Sequence, residues 1–134
     1  MSLVNAVFFG KSRGSFMQGD TLSLHYQRIH RAILQNICET SYCISDAARD
    51  LKISKRYIQA ILSDRGVSFR ALLLKRRLEA ARNMLKDSAA ASRSITEIAL
   101  ICGFSELSHF SKCFSREFGA SPREFRLGRT QLPS

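Results

Sequence analysis

One short pattern occurs twice within these 134 residues, so the fold must set the same small unit at two places along the chain. Residues 44–62, ISDAARDLKISKRYIQAIL, return as residues 95–114, ITEIALICGFSELSHFSKCF. Ile44 pairs with Ile95, Asp46 with Glu97, Ala48 with Ala99, Ile53 with Phe104, Ser54 with Ser105, Ile58 with Phe110 and Leu62 with Phe114. Further on, Gly66 and Ser68 answer Gly119 and Ser121. In each copy a short helix runs into a turn and a Ser follows the turn's apolar residue. A second helix then carries apolar residues four apart, the spacing that keeps them on one face.

That layout is a helix-turn-helix, whose second helix lies in the major groove of DNA. Charge points the same way. With 21 Lys and Arg against 11 Asp and Glu, the formal charge is +10 and the isoelectric point is near 10.1, which calls for a polyanionic partner. A membrane surface fits less well, because no helical stretch is both uniformly basic on one side and rich in bulky apolar residues on the other. No apolar run is long enough to span a bilayer, and the N-terminus lacks a signal peptide's charged start and apolar segment. These features predict no membrane association and a cytoplasmic, nucleoid-associated location.

A composition that is 45% hydrophobic supports a core. The expected fold is all-α, with about seven helices: two homeodomain-like helix-turn-helix subdomains joined by a long linker helix. Residues 1–24 read as a flexible N-terminal remnant or linker, since GKSRGSFMQGD lacks a sustained period. Residues 25–67 make the first subdomain, with Ile29, Ala32, Ile33, Ile37 and Cys38 marking the buried face of a helix that starts near Leu24. Residues 68–87 form the linker helix, 88–127 the second subdomain and 128–134 a C-terminal tail. In the linker, capped by Ser68, a stripe of Leu74, Leu78, Ala81 and Leu85 is widened by Leu73, Ala80 and Met84. Lys75, Arg76, Arg82 and Lys86 take the opposite side. Eighteen helical residues make a rod of roughly 27 Å, of the order of the ~34 Å between successive major-groove segments.

The copies differ in their local signals. Ser94 with Glu97 and Ser121 with Glu124 form capping boxes, and Pro122 follows the second N-cap. Cys43 is a poor cap at the matching place in the first copy. Lys52 stands where the second copy has Gly103, so a positive φ there would strain the first turn. Phe125 is expected to pack back on Phe114 and Phe118.

The cysteines do not build a metal site. Cys38 with Cys43 and Cys102 with Cys113 lack the paired spacing of a tetrahedral centre, and Cys102 and Cys113 fall at core positions. His109 and Cys113 share a helix face but lack the orienting group and pocket of a catalytic dyad. No phosphate loop, paired-carboxylate site or nucleophile elbow is present, so neither an enzyme nor a cofactor is expected.

SITEIALICGFSELSHFSKCFSREFGASPREFR resembles the signature of the DNA-binding domain of the AraC/XylS family of bacterial transcription regulators. Ile98, Ala99, Gly103, Phe104, Phe110, Phe114, Phe118, Gly119, Ser121, Pro122 and Arg126 fall on its pattern, as do Arg77, Leu78, Ala81 and Leu85 of RRLEAARNML. The resemblance covers about residues 25–127. It departs at Lys52 and Ala60, where the family has Gly and often Arg. It implies binding to double-stranded promoter DNA, contact with RNA polymerase, and a sensor or dimerisation domain outside this chain.

In the first recognition helix Ile58, Ile61 and Leu62 face inward, leaving Arg56, Gln59 and Ala60 to read bases. Arg forks onto guanine O6 and N7, Gln pairs with adenine N6 and N7, and Ala offers a methyl surface to thymine. In the second, Phe110, Cys113 and Phe114 face inward, so Leu107, Ser108, Ser111 and Lys112 are the readers. Ser54, Lys55, Arg65, Arg77, Ser105, Arg116 and Arg123 are assigned to phosphates, which position the protein without specifying sequence. For Arg77, at the edge of the linker stripe, the resemblance implies a phosphate or a core-stabilising role. The first unit is expected to supply most base discrimination and the second to be the better-built fold. The alternative from another class is a basic interaction module that contacts an acidic partner such as RNA polymerase.

Overall fold

Local capping chemistry decides where most of the helices begin. The computed structural model describes the backbone of residues 15–87 and 91–128, with side chains from residue 21 onward. The C-terminal tail beyond Gly128 and most of the expected N-terminal remnant lie outside the described residues. Among the described residues there are seven helices and no strand. They are α1 (Ser15–Gln35), α2 (Ile44–Leu51), α3 (Lys55–Asp64), α4 (Phe69–Lys86), α5 (Ile95–Ile101), α6 (Leu107–Phe118) and α7 (Pro122–Arg126).

Both expected capping boxes form. The Ser94 hydroxyl accepts from the Glu97 amide at 3.0 Å while the Glu97 carboxylate accepts from the Ser94 amide at 2.8 Å. Ser121 and Glu124 exchange the same pair of bonds at 3.0 Å each. Ser68 caps α4 by accepting from the Ala71 amide at 3.1 Å. The weak cap at Cys43 is offset by Asp46, whose carboxylate accepts from the Cys43 amide at 3.0 Å. Those bonds hold the Asp46 carboxyl below its ordinary range, the backbone bond from Cys43 contributing most.

Helix α1 starts at Ser15, earlier than the expected Leu24. Its packed face is set by Leu22, Tyr26, Ile29 and Ile33, at steps of four, three and four, whereas Leu24 is 60% exposed. The apolar period therefore begins before Leu24 and on another side of the helix.

Each unit has its own core. The first gathers Ile29, Ile33, Tyr42, Ala47, Ile58, Ile61 and Leu62 with Phe69, Leu72 and Leu73 of α4. The second gathers Ile98, Ala99, Cys102, Phe104, Phe110, Cys113 and Phe114 with Leu78, Ala81 and Leu85 of α4. At about 100° per residue, these two sets of α4 side chains project from nearly opposite sides of the helix. The expected single stripe is thus corrected to two apolar faces, one per unit, and Leu73 belongs to the first. Two of the cations expected on a solvated side are also engaged. Arg76 Nε donates to His30 Nε2 on α1 at 2.7 Å and pairs with Glu79 at 3.0 Å. Arg82 lies over the rings of Phe118 and Phe125, at 5.5 and 6.0 Å. Phe125 packs on Phe114 and Phe118, with ring centroids 5.7 and 6.5 Å apart, as its spacing implies.

The repeat is visible in the backbone. After the first turn the Ile53 amide donates to the Ala48 carbonyl at 3.2 Å, and after the second the Phe104 amide donates to the Ala99 carbonyl at 2.9 Å. Lys52 has φ 59° and Gly103 has φ 91°. An L side chain in this left-handed region costs about 1 kcal/mol that glycine avoids. Lys52→Gly is expected to stabilise the chain by about 1 kcal/mol in denaturant unfolding. An unchanged or lowered midpoint would show that Lys52 carries no such strain.

Candidate nucleic-acid interface

Helix α3 buries Ile58, Ile61 and Leu62 and turns Lys55, Arg56, Gln59, Ala60 and Ser63 to solvent. Its start is fixed by Ser54, whose hydroxyl oxygen accepts from the Tyr57 amide at 3.0 Å. The hydroxyl proton stays free to donate outward, which suits a phosphate oxygen. Tyr57 faces α1, bonded through its hydroxyl to His25 Nδ1 at 2.8 Å, with the two rings edge-on at 5.1 Å. Ala60 lines a shallow cleft with Leu22 and Ser23 of α1, so it is the reader nearest that helix. Arg65 caps the end of α3 and lays its guanidinium 3.9 Å from the centroid of Tyr26. That stacking orients the exposed Arg65 guanidinium.

Helix α6 buries Phe110, Cys113 and Phe114. Leu107, 42% exposed, together with Ser108 and Lys112, lies open to solvent, while Ser111 is half-buried at the edge of the seam. Arg116 is exposed further along α6, and Arg123 on α7.

Two of the expected sites stand differently in the structure. Ser105 is exposed but does not repeat the work of Ser54, because α6 starts one residue later and Glu106 is its N-cap, without a side-chain capping bond. The signal was present in the lengths of the copies: residues 95–114 carry one residue more than residues 44–62, and the extra residue falls between Ser105 and the helix. An exposed carboxylate therefore sits at the tip of the second recognition helix, where the first has a neutral hydroxyl. Arg77, expected among the phosphate contacts, points inward. Its Nε donates to the Ile37 carbonyl at 3.0 Å and its Nη2 to the Glu39 carbonyl at 2.5 Å. A half-buried fork committed to two carbonyls is a structural tie, and Arg77 leaves the phosphate set.

Burial, then the charge of Arg28, holds His25 below the usual histidine range. Burial, then Arg76, does the same for His30, opposed by Glu79. His30 Nε2, as acceptor from Arg76, carries no proton. Burial pushes the Cys102 thiol up to about 11, which keeps it protonated and unreactive. His109 lies 3.5 Å from the Cys113 sulfur on a helix face already filled by core rings. Among the described residues, no group of three or more His, Cys, Asp or Glu could hold a metal ion.

Comparison with known proteins matches this geometry. A family profile described as a helix-turn-helix domain covers residues 47–128. The transcriptional activator NphR of a Rhodococcus species is 33% identical over 107 residues, spanning 80% of this chain and 31% of NphR. The HTH-type transcriptional activator RhaS of Salmonella arizonae is 34% identical over 122 residues, 90% of this chain and 43% of RhaS. This chain therefore spans less than half the length of these relatives. A crystal structure of a transcriptional regulator from Chromobacterium violaceum, described as having an AraC-type DNA-binding domain, superposes with a TM-score of 0.70 at 31% identity, over 81% of this chain and 93% of that one.

Proposed function

This chain belongs to the AraC/XylS-type helix-turn-helix family, and on that premise we propose that it is the sequence-specific DNA-binding part of a bacterial transcription activator. It lays α3 and α6 in adjacent major-groove segments of double-stranded promoter DNA. The observation that carries this reading is the pairing of two recognition helices, each with a buried apolar seam and an outward polar face, on the single rod of α4. Arg56 and Gln59 read bases in the first segment, with Ala60 as a methyl surface at its edge. Leu107, Ser108, Ser111 and Lys112 face the second. Ser54, Lys55, Arg65, Ser105, Arg116 and Arg123 hold the phosphates. Lys112 is the one directional donor of charge among the second helix's readers, so most discrimination falls to the first unit.

The relatives' greater length and their names as activators support a sensor or dimerisation domain elsewhere in the full protein and contact with RNA polymerase at the promoter. A DNA-binding role fits a cytoplasmic, nucleoid-associated location. None of the described helices is long and apolar enough to cross a membrane.

A footprint on a duplex selected from random sequence is expected to protect two major-groove segments about 10 bp apart. Protection of one segment alone would mean that a single unit engages, and absence of salt-sensitive binding to bare duplex would favour the protein-interaction reading. Arg56→Ala is expected to relax base preference at one position by about 1–3 kcal/mol. Lys55→Ala should weaken binding to all sequences and lower the salt slope by about 0.9. Equal effects of the two on preference and slope would undo this sorting of contacts. Glu106 opposes the positive end of α6 that would otherwise attract phosphate. Glu106→Ser is expected to tighten duplex binding roughly threefold to tenfold at low salt, an order set by one exposed like-charge contact. Weaker binding by this variant would instead make Glu106 a base reader, accepting from cytosine N4.

A further inference from the structure

We propose that Arg77 and Gly103 form a lock between the two units that fixes the spacing and rotation of one recognition helix relative to the other. Arg77 lies midway along α4, between its two apolar faces, and it donates to the carbonyls of Ile37 and Glu39 in the loop that ends the first unit's opening helix. Gly103, the turn residue of the second unit, packs against the same spot. A Cβ built on Gly103 would stand 2.2 Å from the Ile37 carbonyl oxygen, 2.5 Å from Arg77 Nε and 2.9 Å from its Cζ. A loop of the first unit, the linker helix and the turn of the second unit therefore meet at one carbonyl and one guanidinium.

The chemistry suits a lock better than a packing contact. An apolar contact tolerates sliding, whereas two N–H donors in a planar fork fix both distance and direction to their acceptors. Lys would supply one point of attachment in place of two. The close approach also accounts for glycine at 103 beyond its φ of 91°. At the matching turn of the first unit, Lys52 holds positive φ with its side chain in solvent, so conformation alone does not demand glycine. What demands it at 103 is the neighbouring unit.

Arg77 is thus a positioning residue for two-segment recognition, which rests on the reading of two engaged recognition helices given above. Its test has one arm without DNA and one with it. In the first, Cys38 and Cys43, both exposed, are replaced by Ser, and spin labels are placed at Asp64→Cys on α3 and Glu117→Cys on α6. The parent chain is expected to give one narrow distance distribution. Arg77→Met, which keeps the length of the apolar stem, should broaden it, and Gly103→Ala should shift or broaden it from the other side of the junction. Circular dichroism establishes that each variant is folded. Arg77→Lys is measured beside them and carries the test if the Met variant unfolds, because it retains charge but not the fork.

In the second arm, affinities are measured for the selected duplex, for the same duplex with two base pairs inserted between its protected segments, and for a duplex holding the first segment alone. Two base pairs turn the second segment by about 70° and move it about 7 Å. The parent is expected to lose roughly tenfold or more on the insertion, as a rigid bivalent binder must. The Arg77 variants should lose under about threefold and bind the single segment like the parent. A narrow distribution and a sharp spacing preference in Arg77→Met would overturn the lock. A salt slope lowered by about 0.9 in Arg77→Met and restored in Arg77→Lys, with spacing preference intact, would return Arg77 to the phosphates. A broadened distribution in a protein whose parent shows no two-segment footprint would keep the lock and discard the two-segment reading.

Discussion

Everything in this fold hangs on α4 being apolar on two sides. Units of this size lie near the margin of about 40 residues at which a chain buries too little surface to stand without help. Here the help is a shared wall: Phe69, Leu72 and Leu73 close one core, and Leu78, Ala81 and Leu85 close the other. Each large side chain so buried contributes about 1.5–3 kcal/mol, and both units draw on it. A helix used in this way cannot present a broad solvated face. Three of its cations are drawn into internal roles, Arg76 against His30, Arg77 against two carbonyls and Arg82 over two phenyl rings, while Arg70, Lys75 and Lys86 stay exposed.

That internal use changes how the basic composition should be read. A formal charge of +10 counts every Lys and Arg alike. Arg76 and Arg77 are half-buried and hydrogen-bonded within the fold. The cations left exposed on the elements of the two heads include Lys55, Arg56, Arg65, Lys112, Arg116 and Arg123. Fewer cations than the total are therefore open to solvent.

What the sequence showed plainly was whatever short-range chemistry decides. Ser94 with Glu97 and Ser121 with Glu124 announce their helices because both partners of each bond lie three residues apart. The buried seams of α3 and α6 follow from spacing, and the family from a run of aligned residues. What stayed hidden was decided by contacts distant in sequence. The partners of Arg77 lie 40 and 38 residues away, and the two faces of α4 merge into one broad stripe unless each unit's core is known separately. The start of α1 lies earlier than the pattern from Ile29 onward suggests, because Leu22 and Tyr26 already pack on the core ahead of it. Ser105 was paired with Ser54 by identity, although the extra residue in the second copy hands the capping position to Glu106.

The junction at Gly103 also bears on how a duplicated unit can change. Exchanging the copies would carry Lys52 into the place of Gly103, where even its first side-chain carbon would collide with Ile37 and Arg77, while the reverse exchange would put glycine into open solvent and meet nothing. At this turn the residues of the two copies are therefore interchangeable in one direction only. Sequence drift at the first turn is limited by conformation, and at the second by the body of its own twin.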